Sequence, residues 1–163
     1  MMRRAILHNY AFGVPFVKML VADIAEDQMC RQPGGLKNHP AWTLGHMALA
    51  TGFTGTLLGL ESKVPAEWNE LCGRGSTPTD DRAKYPGKEE MLSALETEHA
   101  RVVDAFQKVD PGMLAQRTPD EELGELMPTL GDALVFMMSV HQAIHVGQLV
   151  AWRQLMGLPR VFS

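Results

Sequence analysis

A chain of 163 residues is long enough to build one domain around its own core without disulfide staples. Apolar content of 45% and charged content of 21% are ordinary for a folded protein and exclude extensive disorder. A net charge of -4, with lysine and arginine scattered rather than clustered, gives no electrostatic reason for a nucleic-acid partner.

Cys30 and Cys72 are too few for a disulfide framework and form no CxxC unit, which fits a reducing cytoplasm. The opening Met1-Met2-Arg3-Arg4-Ala5-Ile6-Leu7 has the start of a secretory signal, but His8, Asn9 and Lys18 interrupt the apolar run. No stretch reaches ~18 uninterrupted apolar residues, so no membrane span is expected.

From about Arg4 to Gln28, Leu7, Tyr10, Val14, Val17, Val21 and Ile24 recur every three or four residues, the spacing of a first amphipathic helix. Pro15 should kink it or mark where its regular part begins, at ~3 kcal/mol if truly interior. Asp23, Glu26 and Asp27 fall on its solvated face. Arg31-Gln32-Pro33-Gly34-Gly35 breaks the pattern.

A second helix should start near Asn38-His39-Pro40, with Pro40 suited to the first helical position and His39 a cap or rim residue. It should run to about Gly59, with Trp42, His46, Leu49, Phe53, Leu57 and Leu60 inward. Gly45 and Gly52 each weaken such a helix by ~1 kcal/mol relative to alanine, so they mark close packing against a neighbour.

From Glu61 to Gly87 the periodicity disappears among prolines and glycines. A connection this long is uncommon unless it is a lid or a crossover. Trp68, Leu71 and Cys72 would pin it by one helical turn, with Cys72 a packed residue rather than a nucleophile. Lys88 to about Val109 reads as a third helix with Met91, Leu95, Val102 and Phe106 inward. His99 shares that stripe, as a core histidine, as a fourth ligand or as a group supporting the site. Glu98 is read as solvated. After a second irregular stretch, Thr129-Leu130-Gly131-Asp132 offers a capped start for a fourth helix, which Gly157 and Pro159 end.

On that last helix, Leu134, Met137, Met138, His141, His145, Gln148, Trp152 and Leu155 fall within one narrow arc. His141 and His145, four apart, stand one above the other, the spacing with which a helix offers two nitrogens to one metal ion. On an apolar stripe an imidazole needs a proton partner, a hydrogen bond or a metal, so two satisfied core histidines are the competing reading. Gln148, one turn on, either orients a ligand or packs the helix. Ala143, Val146 and Val150 make a second apolar face, for which a homodimer contact or cover by the long loops is expected.

Four helices with longer connections predict an all-α four-helix bundle spanning 1–163 as a single domain. His46 would join His141 and His145 as a third nitrogen. Three protein ligands with an open position is the catalytic arrangement for zinc, and nickel, copper and iron accept the same donors.

At this point the chain resembles the DinB-like superfamily. The resemblance rests on Trp42-Thr43-Leu44-Gly45-His46-Met47 and on His141-Gln142-Ala143-Ile144-His145-Val146-Gly147-Gln148-Leu149, with Arg153 and Gly157-Leu158. The interval of 95 residues between His46 and His141 is like the family's. The resemblance implies an up-down-down-up bundle with its long crossover between the second and third helices. It implies His46, His141 and His145 as the metal triad, nickel or zinc as the divalent ion, and homodimers. Characterised relatives include thiol-dependent S-transferases and a mycothiol-dependent isomerase. No substrate-binding residue of those relatives is matched here.

Two functions follow as expectations. One is a metal-dependent enzyme, a thiol S-transferase or related isomerase or hydrolase. It would take a small-molecule substrate and a low-molecular-weight thiol through an accessible pocket under the 61–87 loop. The other is a non-catalytic metal- or ligand-binding stress protein.

Overall fold

The computed structural model describes residues 2–162. It is all-helical, with no strand among the described residues beyond a single bridge between Arg117 and Thr129. The helices are α1 (Met2–Val21), α2 (Pro40–Leu57), α3 (Trp68–Cys72), α4 (Lys88–Lys108), α5 (Pro111–Leu114), α6 (Glu121–Leu126), α7 (Leu130–Val135) and α8 (Gln142–Leu155). A π-helical segment, Phe136–His141, joins the last two, so the chain runs as one helix from Leu130 to Leu155.

The first helix is shorter than its apolar spacing predicts. It stops at Val21, with Pro15 inside it, and a separate turn at Glu26–Gln28 continues the stripe. Asp23 and Glu26 are exposed but not free: Asp23 pairs with Arg153, and Glu26 with Arg82.

The second helix starts as its sequence requires. Pro40 occupies the first turn, and the fully buried His39 caps it by accepting a hydrogen bond from the Trp42 N–H at 3.2 Å. The other His39 ring nitrogen meets the Thr79 carbonyl at 2.8 Å, tying the crossover to the helix start. The helix ends in a Schellman turn. Gly59, at φ 81°, lets its own N–H reach the Thr56 carbonyl and the Leu60 N–H reach Gly55.

α2 is the enclosed helix. It buries residues on every side, including Thr43, Ala48, Thr51 and Thr54, and it packs against α4, α3 and the final helix. The close approaches marked by glycine are present. A Cβ on Gly45 would lie 2.4 Å from the Cys72 sulfur, and one on Gly52 would lie 2.4 Å from the Ser62 hydroxyl.

α4 buries Met91, Leu95, Val102 and Phe106 as predicted. Glu98 corrects the expectation of a solvated carboxylate, because it is only 1% exposed. It accepts the Lys63 backbone N–H at 2.8 Å and takes Arg101 on both oxygens at 2.7 and 2.9 Å. A buried carboxylate is tolerable only with such partners, and here they staple the start of the crossover onto α4.

The final helix opens on a capping box. Thr129 accepts from the Asp132 N–H while the Asp132 carboxylate accepts from the Thr129 N–H. It closes on a second Schellman turn at Gly157, φ 70°. Its length and composition are those of a helix able to cross a membrane, which the requirement for an uninterrupted apolar run passed over. Here it lies along α1 and α2 and buries Leu134, Met138, Leu149 and Trp152. Each such side chain contributes ~1.5–3 kcal/mol. The stripe differs from the regular-helix expectation past the π segment, whose wider turn resets the phase. The inward line runs His145, Leu149 and Trp152, and Leu155 is 54% exposed. Val146 and Val150 pack partly against the core, while Ala143 is exposed.

Candidate metal centre

Three imidazoles meet between α2 and the final helix. One ring nitrogen each from His46, His141 and His145 lies within 4.8 Å of the others. The His46 and His141 Nε2 atoms are 3.3 Å apart. Two nitrogens each ~2.05 Å from one tetrahedral ion would be about 3.3 Å apart, so this pair already has the spacing of two ligands.

Two of the three rings, His46 and His145, are aimed by a partner on the far side. His46 Nδ1 is 2.7 Å from the Cys72 carbonyl, which can only accept, so Nδ1 carries the proton and Nε2 presents its lone pair to the cluster. Trp42, one turn earlier, stacks on the His46 ring at 4.6 Å and 8°. Its indole N–H is anchored on the Ser76 hydroxyl at 2.8 Å. Thus the crossover aims His46 twice, through the end of α3 and through Ser76.

His145 Nδ1 is 3.0 Å from the Gln148 amide oxygen, which also accepts from the Asn38 side chain at 3.2 Å. Two donors converging on that oxygen fix the amide and leave His145 Nε2 free to face its neighbours. Gln148 is therefore the orienting residue rather than a packing one. Replacing it with alanine should weaken divalent-metal affinity by ~10–100-fold with the helical content unchanged, measured by competition with a chromophoric chelator. Equal affinities for the variant and the wild type would remove Gln148 from the site.

The rings are neutral at ordinary pH. Burial, and then the neighbouring His46, hold His141 at about 4; His145 is held at about 4 by burial, His46 and His141 together. Burial also depresses His46, against the opposing Cys72 carbonyl. Neutral imidazole is the protonation state that binds a metal ion. The donor set, its spacing and its protonation all fit one divalent cation.

His99 lies apart from the cluster, donating through Nε2 to the Tyr10 carbonyl at 2.8 Å as a satisfied core histidine. Glu98 is engaged with Lys63 and Arg101. Among the described residues, the three histidines are the one group of possible metal donors, and no carboxylate joins them. Cys72 contributes its carbonyl and not its thiol, which burial pushes up to about 12.

The space beside the cluster is not where it was expected. A cavity of about 300 Å³ at the start of the crossover is lined by Lys63, Trp68 and Glu98 and touches none of the three histidines. A cavity of about 10 Å³ touches one of them, reaching His141 from α1 and α2.

Two contributors were missed in the sequence. The π-helical segment ends on His141, and π-bulges are frequent at functional sites. The Cys72 carbonyl carries no residue signature; its one trace was the Gly45 that lets α3 approach α2.

Fold and site define an all-helical protein with a three-imidazole cluster, able to hold a metal ion, between its second and last helices. The chain belongs to the DinB superfamily, which it matches over residues 17–149, a span containing all three histidines. No curated protein and no solved structure matches it.

Proposed function

We propose that this protein is a metal-dependent enzyme built on a single-domain, up-down-down-up four-helix bundle, with His46, His141 and His145 holding nickel or zinc. The observation that carries this reading is the preset cluster itself: two rings aimed through their Nδ1 atoms, all of them neutral, and His46 and His141 only partly buried. A closed structural site would spend a fourth protein ligand, and among the described residues none stands with the three. A divalent ion there would act as a Lewis acid and make a bound water or thiol nucleophilic near neutral pH.

The reaction class we assign is attack by a low-molecular-weight thiol on an electrophilic small molecule, with isomerisation or hydrolysis as its neighbours. Space for an apolar substrate is at hand. An open groove of about 780 Å³ is lined by Phe106, Leu114, Met127 and Phe136, and the Phe136 ring stands 6.2 Å from that of His141. Metal-loaded protein should turn over 1-chloro-2,4-dinitrobenzene with glutathione, bacillithiol or mycothiol, and lose that activity on chelation. Absence of turnover with every thiol would count against the transferase reading.

The tightness of the cavity at His141 favours a second reading, a stress protein that sequesters its ion without turnover. A cytoplasmic setting agrees with two unpaired cysteines.

We assign a homodimer contact to the outer face of the final helix. Val146 and Val150 are engaged within the chain, so this contact falls on Ala143 with Val140 and Ile144, the latter two 50% and 49% exposed. Val140→Glu with Ile144→Glu should halve the mass measured by light scattering. A wild type that already runs as a monomer would remove the contact.

A further inference from the structure

Tyr10 is a buried phenol with an unusual deficit. Its side chain is 2% exposed, and among the described residues its hydroxyl makes no hydrogen bond of good geometry, the nearby Thr51 hydroxyl included. Buried polar groups are nearly always paired, so an orphan hydroxyl points to a partner outside the chain.

The ring cannot turn away to find one. His99 lies against it at 4.4 Å and also binds the Tyr10 backbone carbonyl, so α4 holds both the ring and the helix behind it. Tyr10 is a wall of the cavity of about 10 Å³ that it shares with His141, Gln142, Thr51 and Thr54. That is room for about one water molecule.

One neighbour is already committed, and a second is fixed in place by packing. Thr54 gives its proton to the Ala50 carbonyl at 2.8 Å. The Gln142 amide is seated against Gly13, where a Cβ would lie 2.1 Å from its nitrogen. Gly13 is therefore the opening on α1 that lets the residue after His141 lie flat beside the cavity. Burial raises the Tyr10 phenol above its ordinary value, against the nearby Thr51 hydroxyl, so it stays protonated and serves as a donor.

We infer that the Tyr10 hydroxyl donates a hydrogen bond to a single ligand oxygen, that of a water molecule or of a small anion, held against His141 in this cavity. Tyr10 is then a binding residue of the site, placed on α1, which supplies none of its histidines. This rests on the metal reading insofar as the ligand oxygen also belongs to the metal centre. The cavity favours ligands that end in one small acceptor atom and excludes bulky ones at that position.

The test compares wild type with Tyr10→Phe, which keeps the ring packed on His99. High-resolution crystals of the metal-free and cobalt-loaded wild type should show an ordered oxygen within ~2.6–3.0 Å of the phenol. Its presence without added anion identifies water; its appearance only in crystals soaked with formate identifies an anion. In solution, azide titrated into the cobalt protein and followed by visible absorption should bind roughly tenfold more weakly to Tyr10→Phe, at equal metal content and equal helical circular dichroism. Equal azide affinity, or a phenol bonded to Thr51 beside a dry cavity, overturns the inference. If the wild type retains no cobalt, the metal reading falls, and the metal-free crystals alone decide: an oxygen at Tyr10 upholds the inference and a dry cavity overturns it.

Discussion

His46→Ala, His141→Ala and His145→Ala should each lower divalent-metal affinity by more than ~100-fold. Loss of an outer hydrogen-bond partner alone costs up to about that much, and these substitutions remove a ligand outright. The cost should be similar at the three positions because, among the described residues, no carboxylate or thiol stands with the cluster to take a vacated place. Competition titrations against a chelator measure it, with circular dichroism confirming that the helices persist. His99→Ala is the internal control. That ring binds the Tyr10 carbonyl, so its loss should cost stability and leave metal affinity near the wild-type value. A variant that kept wild-type affinity without His141 or His145 would dissolve the triad.

The second large effect is acid lability of the metal-free protein. His141 and His145 ordinarily titrate near 6.5, and in the folded chain both are held at about 4. Between those values the unfolded chain takes up protons that the folded chain refuses, so stability is full above about pH 6.5 and is lost as pH falls toward 4. At 1.36 kcal/mol per pH unit the gap is worth about 3 kcal/mol for one ring, and the pair together loses more than that but less than twice as much, because their mutual repulsion counts once. Urea midpoints of chelated protein across this range should fall steeply. The same series on His141→Leu/His145→Leu, which cannot take up those protons, should be much flatter. Bound metal should protect above the acid range and be released within it, since protons and the ion compete for the same lone pairs. A metal-free wild type with a flat profile would mean that these rings are not held neutral by burial.

Much of the site was legible because it follows from periodicity. Four-residue spacing put His141 and His145 on one face, and the second helix's apolar stripe carried His46 inward with them. The His39-Pro40 start, the Thr129–Asp132 capping box and the short turn at Trp68–Cys72 are local events, and all three formed where local chemistry placed them. What was not legible depends on closure in three dimensions. Glu98 looks like any surface glutamate on a charged helix. Only when the crossover lays the Lys63 N–H against it does it become a buried staple. The Cys72 carbonyl that aims His46 is backbone, which any residue would supply. The π-helical segment has no proline or glycine within it to announce it, and it moved Leu155 out to solvent and Leu149 in. Tyr10 was read correctly as an inward residue, but its unpaired hydroxyl is a property of its neighbours.

The central claim is that the cluster holds one divalent ion, and elemental analysis of protein stripped with chelator, reloaded and desalted tests it most directly. About one nickel or zinc per chain is the predicted result. A wild type that retains no stoichiometric metal, while its helices remain intact, would contradict it and return the three histidines to the role of a packed core.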